Sequence, residues 1–117
     1  IGSPRMNVMP CTAEGASFAL PGQGGGAYGR SRAAVSLGIR PEHIEMAPVG
    51  AGHLDGVVDV LEYLGSDTFV IVECGEAGKV TVRIAGDTDL APGDPCSLNF
   101  QAPHLHFFDE SGLAVLN

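Results

Sequence analysis

The feature that most limits what this chain can become is the spacing of its chain-breaking residues. Seventeen glycines and eight prolines are spread through 117 residues, and the apolar runs between them are short for a packed helix but sufficient for a strand. Where a run is long enough to show a period, that period is two. Val80, Val82 and Ile84 alternate with Thr81 and Arg83, which puts three apolar side chains on one face of an extended segment. No stretch of useful length carries the 3.6-residue repeat of an amphipathic helix. The chain is expected to be mostly β, and its length suits one domain with its own core.

The pattern divides into short strands. Residues 6–13 and 17–20 flank Glu14-Gly15 and read as a hairpin. Residues 21–31 collect Gly22, Gly24, Gly25, Gly26 and Gly29 and are expected to form an exposed loop without a strand. Residues 33–39 form a strand that Arg40-Pro41 ends or bends, because proline lacks an amide donor and forces its predecessor extended. A shorter strand follows at 43–47.

After the small residues 48–52 comes a longer run, 54–64, with Val58 and Val60 expected on one face. It turns at Gly65-Ser66-Asp67 into 68–74, and again at 75–78 into the Val80–Ile84 strand, a meander of three. Ala91-Pro92-Gly93-Asp94 places proline and glycine at the centre of a type II turn. It leads to Cys96, Leu98 and Phe100 on one face, with Ser97 and Asn99 on the other. Strands at 104–108 and 113–116 flank a last turn. These strands, each with one apolar face, suit a small closed barrel of the OB type, with the N-terminal hairpin and strands packed on it.

Charge narrows the possible partners. The net charge is −8, unevenly spread: residues up to His53 carry four arginines and three acids, whereas those from Leu54 onward carry eleven acids against Lys79 and Arg83. Such a field repels phosphate backbones, so neither nucleic acid nor an anionic membrane surface is an expected partner of the C-terminal half. The aromatic residues Tyr28, Tyr63, Phe69, Phe100, Phe107 and Phe108 are not interleaved with cations as a base-stacking surface would require.

The chemically suggestive residues do not assemble a catalytic motif. The glycine-rich segment lacks the Gly-Lys-Ser or Gly-Lys-Thr of a phosphate loop, and Lys79 lies at the start of a strand. His104 and His106, two apart on an expected strand, would share a face at a spacing able to chelate a metal, yet no further ligand can be placed beside them. Cys11, Cys74 and Cys96 are far apart and read as small buried hydrophobes. Arg40 and Glu42, two apart in an extended segment, could form a solvated ion pair. No metal, no cofactor and no catalytic residue is assigned.

Leu37-Gly38-Ile39-Arg40-Pro41-Glu42-His43, taken with Ile1-Gly2-Ser3-Pro4 and Met6-Asn7, resembles the C-terminal regulatory domain of ATP-binding subunits in carbohydrate-importing ABC transporters of the maltose and glycerol-3-phosphate type. Leu61-Glu62-Tyr63-Leu64-Gly65 and His106-Phe107-Phe108-Asp109 with Gly112 are similar to later segments of that family, while His104 has no counterpart there. The resemblance implies one regulatory domain of the OB type, called TOBE, over residues 1–117. Residues 1–52 would supply accessory strands and the glycine-rich loop, and 54–117 the main barrel.

It further implies an ATPase domain that binds ATP and magnesium and lies outside this chain, the opening Ile1 looking like a cut end. The implied partners are that ATPase domain, a second copy of the subunit across a two-fold axis, the transporter's membrane subunits and, in some members, a regulatory protein. The implied location is cytoplasmic, at the inner face of the cell membrane. Arg40, Pro41, Glu42 and His43 are the residues expected at the dimer or regulatory contact. A free-standing barrel binding a small oxyanion such as molybdate is the competing expectation.

Overall fold

The computed structural model describes residues 5–117; Ile1-Gly2-Ser3-Pro4, part of the resemblance above, lie outside the described residues. The described residues form two five-stranded antiparallel sheets. Numbered along the chain, the strands are β1 (Asn7–Glu14), β2 (Ser17–Ala19), β3 (Gly25–Ala27), β4 (Ala34–Ile39), β5 (Ile44–Ala47), β6 (Leu54–Leu64), β7 (Asp67–Glu73), β8 (Lys79–Ala85), β9 (Pro95–Phe100) and β10 (His106–Phe108). The first sheet runs β10-β4-β1-β2-β3 and the second β5-β9-β6-β7-β8. In the second, the edge strands β5 and β8 lie against each other, which curls the sheet into the small barrel expected from the strand pattern.

The alternation read from the sequence sets the inward faces. Met9, Cys11 and Ala13 of β1 are buried, as are Val70 and Val72 of β7 and Val80 and Val82 of β8. All three cysteines are free and buried, as expected. Burial pushes the Cys11 thiol up to about 11 and the Cys74 thiol up to about 12, which keeps them protonated and unreactive at neutral pH. The core is continuous, joining Phe18 and Leu37 of the first sheet to Val82 and Phe100 of the second.

Several expectations are corrected. Residues 21–31 are not strandless, because β3 pairs with β2, Phe18 opposite Gly26 and Ala19 opposite Gly25. Glycine permits this approach: a Cβ on Gly25 would stand 1.7 Å from the Phe18 carbonyl oxygen. Val58 and Val60 do not share a face. The register of β6 against β7 shifts between them, and this bulge at Asp59 leaves Val58 2% exposed but Val60 41%. Ser97, expected on the face opposite Cys96 and Leu98, is itself buried, its hydroxyl accepting from Gly52 N–H at 2.9 Å and lying 3.4 Å from the Leu54 carbonyl.

Nor do the sheets divide at residue 52. β5 pairs with β9 in the barrel, and β10 crosses back to pair with β4, Phe107 opposite Leu37. The expected strand at 113–116 reduces to a bridge between Phe108 and Ala114, with Val115 N–H donating to the Phe107 carbonyl at 2.8 Å.

Two side-chain amides join the sheets by imitating a peptide group. Asn7 accepts from Thr81 N–H and donates to the Thr81 carbonyl, both at 2.9 Å, on β8. Gln23 does the same to Asp55 of β6, at 3.1 and 3.2 Å. Each satisfies backbone groups that would otherwise stand at a strand edge.

His53 is a third tie. Its ring stacks on Phe100 at 5.5 Å and lies 6.4 Å from Phe18, and its Nδ1 accepts from Phe100 N–H at 3.1 Å. Burial holds its pKa below the ordinary 6.5. The unfolded chain therefore takes up this proton at a higher pH than the folded one. The contribution of His53 is complete above about pH 6.5 and is lost as pH falls below it towards the folded pKa. Urea midpoints measured at about pH 7.5 and about pH 5.5 are expected to differ less in His53→Phe, which keeps the stack but cannot titrate, than in the parent.

Candidate functional site

Arg40, Pro41, Glu42 and His43 sit at the knuckle where the chain leaves β4 of the first sheet and enters β5 of the second. Pro41 opens a 3-10 turn, Pro41–His43, closed by His43 N–H donating to the Arg40 carbonyl at 3.0 Å. Proline suits that position because its fixed φ is already helical and no amide is needed there. Pro41 is buried while Arg40 and Glu42 are exposed, so the turn presents one charge of each sign on a stiff base. The expected extended Arg40–Glu42 pair is not formed. The turn separates them, and the ion pairs among the described residues are Arg32–Asp109, Lys79–Asp59 and Arg83–Asp67.

His43 has a partner that sequence reasoning did not place. Its ring lies flat on that of His104, centroids 3.6 Å apart and planes within 10°. His104 ends a second 3-10 turn, Ala102–His104, on the path from β9 back to β10. Both passages between the sheets therefore meet here, and Gln101 N–H ties them by donating to the His43 carbonyl at 3.1 Å. The signal that could have found this is the repeated proline, Pro41 and Pro103, at the opening of each turn. The same geometry overturns the idea of His104 and His106 as a chelating pair: one is in a turn and the other on β10. No cluster of three or more metal-ligating side chains occurs among the described residues.

Glu42 also borders a shallow groove of about 510 Å³, walled by Ile44 and Met46 of β5 and by Arg83 and Ile84 of β8. A second groove, about 550 Å³, opens between Gln23, Asp55, Glu73 and Glu76. Its charged side chains are all acidic, the wrong sign for an oxyanion.

The glycine-rich segment is less bare than its composition suggests. Arg30 donates to the Val115 carbonyl and lies 4.8 Å above the Phe107 ring. Ser31 donates to the Asn117 carbonyl. Arg32 pairs with Asp109 at 2.7 Å and, with the Ser111 and Leu113 amides, holds that carboxyl below the usual carboxylate range. These side chains pin the C-terminal segment onto the first sheet.

The described residues thus form two antiparallel sheets, the second curled into a barrel, joined at a charged, proline-stiffened knuckle. The chain belongs to the TOBE family: residues 37–108 match the TOBE domain, and residues 2–44 match the MalK OB fold domain.

It is 37% identical to the sn-glycerol-3-phosphate import ATP-binding protein UgpC of Salmonella paratyphi A over 98% of this chain and 34% of that protein. The Escherichia coli protein of the same name is 36% identical over the same shares, and that of Cupriavidus metallidurans 32% identical over 98% of this chain and 35% of its own. The chain thus spans about a third of the length of the curated relatives it matches. Among solved structures, the cytoplasmic molybdate-binding protein ModG aligns with TM-score 0.58 and 16% identity, covering 90% of this chain and 95% of that one. At that identity the likeness concerns the fold.

Proposed function

We propose that this chain is the regulatory and dimerisation domain of the ATP-binding subunit of an ABC transporter that imports sugars or related solutes. The observation that carries the reading is the likeness, over nearly the whole chain, to import ATP-binding proteins. On this reading ATP and magnesium are held by an ATPase domain outside these residues, and the subunit works at the inner face of the cell membrane beside the transporter's membrane subunits. The chain itself catalyses nothing. Its task is to hold two subunits together and to receive regulatory partners while the ATPase domains open and close.

The knuckle supports that task. A two-fold contact presents one patch twice, so opposite charges on a single stiff turn can pair with their own copies. Arg40 and Glu42 on the Pro41–His43 turn have that arrangement, with His43 behind them. In the full-length subunit, Glu42→Arg is expected to weaken dimer affinity about tenfold, or to uncouple ATPase control, while the urea midpoint of the domain stays unchanged. Sedimentation equilibrium and ATPase assays check this, and unchanged affinity together with unchanged control would remove the knuckle from the interface.

Reading the coding frame upstream of Ile1 tests the wider proposal. A GxxxxGK[ST] segment within about two hundred codons supports it. A start codon at Ile1, together with heat released on titrating molybdate into the chain, would instead favour oxyanion binding.

A further inference from the structure

β6 has β9 on one side only as far as Val57, whereas its pairing with β7 on the other runs from Val57 to Leu64, interrupted by the Asp59 bulge. On the side away from β7, beyond the β9 pairs, the strand is held at Val58, which donates to the Asp94 carbonyl and accepts from Gly93 N–H, both at 2.8 Å. Among the described residues, no backbone group joins Val60 to Leu64 on that side.

Free strand edges are normally blunted by lysine, proline or a covering segment. This one has neither lysine nor proline. Three of its five side chains are apolar and exposed, Val60 41%, Tyr63 63% and Leu64 52%, with Glu62 exposed among them. Beside it runs a groove of about 590 Å³, floored by Val60, Leu61 and Tyr63 and walled by Leu90, Ala91 and Pro92. Pro92 has no amide to offer the edge, so that wall cannot close the gap as a strand.

The charge around the groove selects the occupant. Asp59 lines the groove at the bulge, Glu62 lies exposed on the strand beside it, and Asp87 and Asp89 precede Leu90 in sequence. The nearby cation Lys79 is already paired with Asp59 at 3.1 Å. A second copy of the same edge would set Glu62 against its own kind, and like charges across paired strands destabilise the pairing. A cationic strand would meet complementary charge.

We propose that the Val60–Leu64 edge of β6 is a docking site for an extended segment of a partner protein, alternating apolar residues with lysine or arginine, which adds to the barrel sheet as a sixth strand. Main-chain hydrogen bonds to the free edge give this mode its affinity, and the groove receives alternate side chains. The site is separate from the Arg40–His43 knuckle and goes beyond the regulatory role proposed above.

The test uses the whole chain and two acetylated, amidated heptapeptides, one alternating lysine with valine and the other glutamate with valine. With the lysine peptide, amide hydrogen exchange at residues 60–64 is expected to slow about tenfold or more, the rest of the barrel changing little. The glutamate peptide is expected to give no protection, and Glu62→Lys to weaken binding of the lysine peptide about tenfold. The urea midpoint confirms that this exposed substitution leaves the fold intact. Absence of protection at millimolar lysine peptide, equal binding of both peptides, or protection that grows with chain concentration in the absence of peptide would each overturn the proposal, the last in favour of self-pairing.

Discussion

Phe107→Ala is expected to lower the free energy of unfolding by about 3–5 kcal/mol, the range for deleting a buried phenylalanine ring. The ring is 2% exposed. It meets Phe18 edge to face at 5.3 Å and Tyr28 at 4.9 Å, and carries the Arg30 guanidinium 4.8 Å above its face. Alanine would leave a cavity among side chains of β2, β10 and the glycine-rich segment, and would remove the aromatic and cation contacts that fix their relative positions. Because β10 crosses from the barrel to pair with β4, the same change loosens the C-terminal segment that Arg30 holds. Urea unfolding monitored by far-ultraviolet circular dichroism provides the measurement. A loss under about 1 kcal/mol would mean that β10 is not packed into the first sheet, since no fully buried phenylalanine is removed so cheaply.

Gly56→Ala should destabilise by about 1–3 kcal/mol or more, for the opposite reason, overfilling instead of a void. Gly56 lies opposite Cys96 on β9. A Cβ there would stand 2.6 Å from Val72 Cγ1, 2.7 Å from the Glu73 carbonyl oxygen and 2.8 Å from Cys74 Sγ. A side chain can rotate away, but a strand carbonyl moves only by disturbing its pairing, and β6, β7 and β9 converge at this point. Gly24→Ala is the matched control. A Cβ at Gly24 meets nothing within 4 Å and its backbone needs no left-handed φ, so its effect is expected to stay within about 0.5 kcal/mol. Comparable urea midpoints for the two variants would show that the strands do not close over Gly56 as described.

The elements differ in how far they could be read in advance, and the difference follows contact distance along the chain. The β6-β7-β8 meander was legible because each hairpin joins neighbours through a short turn, so alternation and turn residues specify the pairing locally. β3 was not, because Gly25 and Gly26 have low strand propensity and are held by backbone pairing with β2 rather than by side chains of their own. The outward turn of Val60 was hidden because one bulged residue reverses every side chain beyond it, and nothing in a run of apolar residues marks where that residue falls.

The same holds at the knuckle. Arg40-Pro41-Glu42-His43 stood out as a stiff, charged segment, but its 3-10 geometry and the stacking of His43 on His104, 61 positions away in sequence, did not. The notable omission was the amide pairings of Asn7 with Thr81 and Gln23 with Asp55, which join segments 74 and 32 positions apart.

Strand content, the turns, the inward-facing residues of regular strands and the family itself can all be read from residue order, because each rests on interactions within a few positions or on a motif of adjacent residues. Which sheet β5 and β10 join, where β6 parts from β9 while keeping β7, and which polar side chains complete the strand edges were decided only when distant segments packed, since a strand's free amides and carbonyls accept any geometrically suitable partner and the shape of the shared core chooses among them.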